Sequence, residues 1–99
     1  MAVLAMVKLT GDPEALLAAK ERFMDPAAEA PFREHGHQLQ IVARSEDGLL
    51  IFNLWESPEG RDLANLDPGM QEARKQIVAT TGAQAEFSNW PVIEYKTTT

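Results

Sequence analysis

Cysteine is absent from this chain of 99 residues. Its absence excludes disulfides, zinc–thiolate sites, iron–sulfur clusters and a cysteine nucleophile together. Long apolar runs are missing as well, because the first run, residues 2–7, is too short for a secretion signal or a membrane span. We therefore expect a soluble, cytoplasmic protein that has no membrane partner.

Positive charge is also scarce. Nine Lys and Arg residues stand against fifteen Asp and Glu residues, which gives a net charge of −6, and the cations form no stripe along any segment. Binding of nucleic acid depends on clustered cations that neutralise phosphates, so we expect no nucleic-acid partner. The glycine-rich phosphate-binding motifs and the G-x-S-x-G motif are missing too. The sequence therefore gives no sign of a dinucleotide-binding protein, a nucleoside-triphosphate-binding protein or a serine hydrolase.

Turn and cap signals divide the chain into strands and helices. The predicted strands are residues 2–9, 38–44, 49–55 and 85–95, and the predicted helices are residues 13–24 and 58–81, with a restart at residues 67–68. A short helix at 27–30 is expected between the start signal Asp25-Pro26 and Pro31, so that the first crossover is broken. Pro91 favours an edge or a bulge for the last strand.

This β-α-β-β-α-β order predicts an α+β domain of ferredoxin-like type. Its antiparallel sheet has four strands and carries both helices on one face, and a hydrophobic content of 44% is enough for one domain over residues 1–99. In the third strand Leu50 and Phe52 point to one side while Ile51 and Trp55 point to the other, so neither face suits water. We expect a homodimer in which a second sheet covers the bare face.

Two side chains in the apolar third strand are polar at their tips. Asn53 and Trp55 share a face, and a buried amide without partners costs about 1–3 kcal/mol. One interpretation is a hydrogen-bonded core asparagine beside a packing tryptophan. The other is a polar and aromatic corner of a ligand pocket.

Arg74 shares a helical face with three apolar residues, Met70, Ala73 and Ile77. Its guanidinium either reaches out of the core to a partner such as Glu72 or Asp67, or enters a cavity where it binds an anion.

His35 and His37 flank Gly36 and would lie on one side of an extended chain. No third ligand with suitable spacing is evident, so we expect no metal site. A general base or ligand-facing histidine is one alternative, and a polar residue at the entry of the second strand is the other.

Residues 50–57 (LIFNLWES) and 67–74 (DPGMQEAR), preceded by the hairpin at 44–48, resemble the antibiotic biosynthesis monooxygenase-like domains of the dimeric α/β-barrel superfamily. The resemblance implies two sheets packed into a barrel, with a pocket in each subunit between sheet and helices. Some members of that family oxidise polycyclic phenols with O₂ and no cofactor, and others degrade haem. The resemblance places Trp55 in the pocket and matches Arg74 to the helical arginine of the phenol oxidisers.

The chain also departs from that family. Ile51 stands where the phenol oxidisers carry an asparagine, and Arg61-Asp62 stand where they carry a tyrosine. Arg74 stands near the position of the histidine that binds iron in the haem-degrading members, so haem degradation is disfavoured.

The first hypothesis is a monooxygenase-like enzyme that needs no cofactor and acts on a small aromatic or polyketide-like metabolite. Its catalytic residues would be Trp55, Arg74 and His37, with His37 removing a proton and Arg74 stabilising an enolate or phenolate. The residues expected to bind substrate are Asn53, Ile51, Met70 and Ile77. The alternatives are a non-catalytic ligand-binding or stress-related dimer, and a purely structural barrel in which protein groups satisfy Asn53 and no cavity remains.

Overall fold

The computed structural model describes residues 1–98 and leaves Thr99 outside the description. The elements in chain order are β1 (Val3–Thr10), α1 (Pro13–Ala19), a π-helical turn (Lys20–Met24), α2 (Asp25–Glu34), β2 (His37–Ser45), β3 (Gly48–Trp55), α3 (Pro58–Leu66), α4 (Pro68–Thr81) and β4 (Gln84–Pro91). The sheet order is β2-β3-β1-β4, and every neighbouring pair is antiparallel. The predicted ferredoxin-like α+β fold is confirmed. Within residues 1–98, no helix has the length and apolarity that a membrane crossing requires.

Three helices begin at a capping residue followed by proline, as the sequence predicts. Asp12 accepts a hydrogen bond from the N–H of Ala15 at 2.9 Å. Ser57 and Asp67 accept in the same way from the residue three positions on, each at 3.1 Å. The caps satisfy N–H groups that have no partner within the helix, and proline loses nothing at the first helical position. Gly82 then ends α4 with φ of 68°, a left-handed conformation that suits glycine.

The first crossover differs from the prediction, because it is helical without a break from residue 13 to residue 34. Asp25-Pro26 does not start a separate helix. The N–H of Asp25 donates to the carbonyl of Lys20, five residues back, so the π turn carries α1 directly into α2. Pro31 does not stop α2 either, since a proline removes one backbone hydrogen bond, and packing of α2 on α3 and α4 offsets that loss.

The last strand is shorter than predicted. β4 lies at the edge of the sheet, as Pro91 indicates, but it ends at Pro91 instead of continuing to Tyr95. Proline has no N–H to give to the ladder, so regular pairing stops there. One further backbone bond follows, from the N–H of Val92 to the carbonyl of Ala2 at 2.9 Å.

The π turn also explains an ion pair that sequence spacing conceals. The side chain of Lys20 is only 6% exposed, and its Nζ lies 2.7 Å from Oδ1 of Asp25, which is 45% exposed. Residues five apart lie on different sides of an α-helix, which has 3.6 residues per turn. The wider π turn brings them onto one side, and Asp25 therefore acts as a counter-charge rather than as a cap.

The sheet packs its core on the side that faces the helices. One cluster of buried residues is Leu9, Leu16, Leu49, Ile51 and Ala83, and a second is Val3, Trp55 and Ala64 with Ala5 and Phe32 packed against it. The opposite face carries Leu4, Met6 and Phe52 in its centre, all partly exposed. At its edges Ile41 and Trp90 are 53% and 48% exposed. Both faces are therefore apolar, as the strand pattern predicts.

We expect the Lys20–Asp25 pair to stabilise the fold measurably. Asp25→Asn leaves a buried ammonium without its counter-charge and should lower the free energy of unfolding by about 1–3 kcal/mol, measured by urea denaturation. Glu29→Gln is the matched control, because the Glu29–Arg33 pair on the same helix is more than 70% exposed on both sides. The control should change stability by no more than about 0.5 kcal/mol. Equal effects of the two substitutions would contradict the assignment.

Candidate functional site

A β-bulge at the start of β2 creates the candidate site. His37 pairs with Trp55 and Leu39 pairs with Leu54, so Gln38 is an extra residue without a partner on β3. Regular alternation would put His37 beside Leu39 on the uncovered face. The bulge instead moves His37 to the helix-facing side, where it joins Gln40.

The side chain of Asn53 is the centre of the hydrogen bonding at this site. It is 8% exposed, and its Oδ1 accepts a hydrogen bond from Nε2 of Gln40 at 2.9 Å. The Nε2 of His37 lies 2.9 Å from the same oxygen. Among residues 1–98 no buried side-chain nitrogen or oxygen lacks a partner. The buried amide oxygen is therefore satisfied by protein, as the first interpretation of Asn53 requires.

Three aromatic rings pack together next to this amide. The ring of Phe32 lies 4.6 Å from that of His37 and 4.8 Å from that of Trp55, and the His37 and Trp55 rings are 5.0 Å apart, all measured between centroids. Both contacts of Trp55 are edge-to-face, the arrangement that aromatic quadrupoles favour. Trp55 itself is 1% exposed, so it supports Phe32 and His37 from behind.

An open groove of about 430 Å³ lies between α2 and β2 in front of these rings. Its lining residues are Asp25, Ala28, Glu29, Phe32, Arg33, His37 and Gln40. Phe32 and Ala28 supply apolar surface, while His37 and Gln40 supply hydrogen-bonding groups on the opposite wall. Trp55 and Asn53 do not line the groove, because they lie behind His37 and Gln40, which do.

Arg74 lies elsewhere, at the junction of α3 and α4. Its guanidinium donates to the backbone carbonyl of Asn65 at 3.3 Å and to the side-chain oxygen of the same residue. Partial burial lowers the pKa of Arg74 below its ordinary value, because the charged form loses water. The partner is Asn65 and not Glu72 or Asp67, since Asp67 caps α4 and Glu72 accepts from Gln76.

The other residues named from the sequence are also placed by the structure. Ile51 belongs to the core cluster around Leu16, and Met70 and Ile77 are buried on α4 at 2% and 5% exposure. None of these three lines the groove. His35 follows the last residue of α2, and Gly36 adopts a φ of 85°, so the chain between the two histidines is not extended. The extended geometry that would align both imidazoles is therefore wrong.

Of the residues that line the groove, sequence reasoning named only His37 as a site residue, and Phe32 and Gln40 are the two missed residues that contact the His37–Asn53 group. Phe32 follows Pro31, where the predicted helix stops, and Gln40 has the spacing of a solvent-facing strand residue. Residues three apart lie on opposite faces of a regular strand, so His37 and Gln40 can be placed on one face only when the bulge between them is known.

Neither a protein-family model nor a curated protein matches this sequence. Solved structures do match it. Rv0793 from Mycobacterium tuberculosis is 17% identical, with a TM-score of 0.74 over 98% of this chain and 100% of that one. SnoaB from Streptomyces nogalater, described as a cofactor-independent oxygenase, is 16% identical, with a TM-score of 0.73 over 95% of each chain.

A third match is a proposed antibiotic biosynthesis monooxygenase from Deinococcus radiodurans, which is 16% identical with a TM-score of 0.72 over 100% of this chain and 99% of that one. At these identities the likeness concerns the fold. The chain therefore has the fold of antibiotic biosynthesis monooxygenase-like proteins, as the resemblance implies.

We expect Arg74 and Asn65 to act as one structural unit. Arg74→Ala and Asn65→Ala should each lower the free energy of unfolding by about 1–2 kcal/mol, because each removes the charge-assisted hydrogen bond between the two side chains. The double variant should lose about 1 kcal/mol less than the sum of the two, measured by urea denaturation. Lys75→Ala, an exposed neighbour on α4, should stay within about 0.5 kcal/mol of the parent. Strict additivity would show that the two side chains are independent.

Proposed function

We propose that this protein is a small, cofactor-independent oxygenase that binds an aromatic or polyketide-like metabolite in the groove between α2 and β2. One observation carries the proposal: His37 lines the groove while its ring packs against Phe32 and Trp55 and is hydrogen-bonded to Asn53. A general base needs this combination of access and fixed orientation. The fold shared with an oxygenase that uses no cofactor supports the same function.

The groove suits a small planar molecule. Its volume of about 430 Å³ falls within the range of small-molecule pockets, about 300–1,000 Å³. Phe32 can pack against a ring, and the amide of Gln40 offers hydrogen bonds to phenol or ketone oxygens. The charged rim does not select an anion, because Arg33 already donates to Glu29 at 3.1 Å. We therefore favour a neutral aromatic substrate.

The proposed reaction converts a CH₂ group next to phenolic rings into a ketone. His37 takes a proton from that carbon, and the resulting carbanion, delocalised as a phenolate, gives an electron to O₂. One oxygen atom of O₂ becomes the ketone oxygen and the other leaves as water with the two hydrogens of the CH₂ group. The substrate supplies all four electrons, so the balance needs no cofactor.

The remaining assignments follow from this geometry. Trp55 and Asn53 would orient His37, and Trp55 would also form the apolar backing of the site. Arg74 could stabilise a phenolate only after its hydrogen bonds to Asn65 break, so we assign it a secondary role in the proposed reaction. Contacts of substrate with Ile51, Met70 or Ile77 would require the groove to extend behind Trp55, and these contacts stay a prediction.

Turnover should depend on His37 and not on His35. With an anthrone-type phenol in an oxygen electrode, His37→Gln should lower kcat by about 10²–10⁴-fold because the proton acceptor is lost. His35→Gln, which changes the other histidine outside the groove, is the matched control and should keep kcat within about twofold. Unchanged O₂ uptake and quinone formation in His37→Gln would contradict the proposal, and so would unchanged turnover when Trp55→Phe and Arg74→Ala are combined.

A second candidate is a non-catalytic or stress-related dimer that holds a metabolite in the same groove. The engagement of Arg74 by Asn65 favours it, since the Arg74 guanidinium is then not free to stabilise developing negative charge. The same ligands distinguish the two functions. Binding without chemistry predicts saturable quenching of tryptophan fluorescence and no O₂ uptake.

The same proposal includes a homodimer in the cytoplasm. The uncovered sheet face exposes Ile41 and Trp90 by about half, around a partly exposed centre at Phe52. Exposed apolar surface of this kind is unfavourable in water, and a second copy supplies an identical sheet face to cover it.

A charge on the sheet face should separate the subunits. Ile41→Glu places an unpaired carboxylate in the interface and should raise the dimer dissociation constant by about 100-fold or more in sedimentation equilibrium. Leu63→Glu is the matched control, because Leu63 on α3 is 53% exposed, the same fraction as Ile41. The control should leave the association unchanged. A parent chain that sediments as a monomer at all concentrations would contradict the proposal.

A further inference from the structure

The hydrogen bonds around Asn53 determine which nitrogen of His37 carries the proton. Oδ1 of Asn53 can only accept, and it lies 2.9 Å from Nε2 of His37. With the Asn53 amide in this orientation, the proton of the neutral imidazole sits on Nε2 and Nδ1 keeps the lone pair. No group of residues 1–98 donates a hydrogen bond to Nδ1 in the structure, so that nitrogen is left available as a base.

The amides of Gln40 and Asn53 take matched orientations. Its Nε2 donates to the same Oδ1 at 2.9 Å, so the two donors meet at one oxygen. Turning both amides by 180° would reverse the network, because Nδ2 of Asn53 would then donate to the oxygen of Gln40 and to Nε2 of His37. That arrangement would place the imidazole proton on Nδ1. The network therefore has two settings, and each corresponds to one tautomer.

We infer that Asn53 and Gln40 are positioning residues that hold His37 in its Nε2–H tautomer and make Nδ1 the basic nitrogen. The bulge at Gln38 is what brings the three side chains onto one side of the sheet. The inference reassigns Asn53 from a substrate contact to a residue that acts through His37. Its use in catalysis rests on the proposed function, whereas the tautomer itself does not.

Nuclear magnetic resonance of the ring nitrogens tests the inference without any substrate. The chain has two histidines, so His35 provides an internal control in every spectrum. In two-bond proton–nitrogen spectra at alkaline pH, where imidazole is neutral, His37 should show the Nε2–H pattern and a ring N–H that exchanges slowly with water. An Nδ1–H pattern for His37, or a tautomer mixture equal to that of a solvated imidazole, would overturn the inference.

Gln40→Glu tests the role of residue 40 with a nearly isosteric change. A carboxylate can only accept, so it should turn Nδ2 of Asn53 toward itself and convert most of the His37 population to the Nδ1–H tautomer. Asn53→Asp keeps an acceptor next to Nε2 and should preserve the Nε2–H pattern. His35 should be unchanged in both variants. If the His37 pattern is the same in Gln40→Glu as in the parent, Gln40 does not act through Asn53 and the inference is wrong.

Turnover gives a separate result. Reversal of the tautomer should lower kcat by at least about tenfold in Gln40→Glu, because the basic nitrogen is then held by Asn53. A parent protein that shows the Nε2–H pattern but no turnover with any phenol would contradict the proposed function and leave the tautomer assignment intact.

Discussion

The hydrogen-bonding demand of the buried Asn53 amide governs the arrangement of this end of the molecule. An amide oxygen without partners in the middle of β3 would cost about 1–3 kcal/mol, so donors must come from the neighbouring strand. Regular alternation of β2 would place Gln38 beside Gln40 on that side. The bulge at Gln38 puts His37 there instead of Gln38, so an imidazole nitrogen and the Gln40 amide both lie 2.9 Å from the Asn53 oxygen.

The helical layer packs against the same region of the sheet, next to Asn53 and Trp55. Phe32 reaches the rings of His37 and Trp55 because α2 continues through Pro31 to Glu34. Upstream, the π turn carries α1 into α2 at Asp25-Pro26. The buried Lys20 and its partner Asp25 lie across this turn. Two prolines that would each break an isolated helix are thus accommodated by one wide turn and by packing.

The comparison with solved structures separates fold from chemistry. At 16–17% identity the path of the chain is retained over nearly all its length. In this chain a histidine bonded to the Asn53 amide lines the groove, and the arginine on α4 is engaged by Asn65. A shared fold therefore says where a pocket can form, and the side chains of this chain determine what the pocket can do.

Sequence alone determined the element order, the apolar character of both sheet faces and three of the helix starts. These features depend on local signals, namely side-chain alternation and the Asp-Pro and Ser-Pro caps, which act over a few residues. It also marked Asn53 and Trp55 as unusual in an apolar strand. Tertiary structure decided what those residues contact, because partners on β2 and α2 are brought to them by a bulge and a π turn. A bulge changes the facing of a strand by one residue and leaves no trace in a polar pattern such as His37-Gln-Leu-Gln40. The grouping of His37, Gln40 and Asn53 could therefore be found only from strand register and side-chain distances.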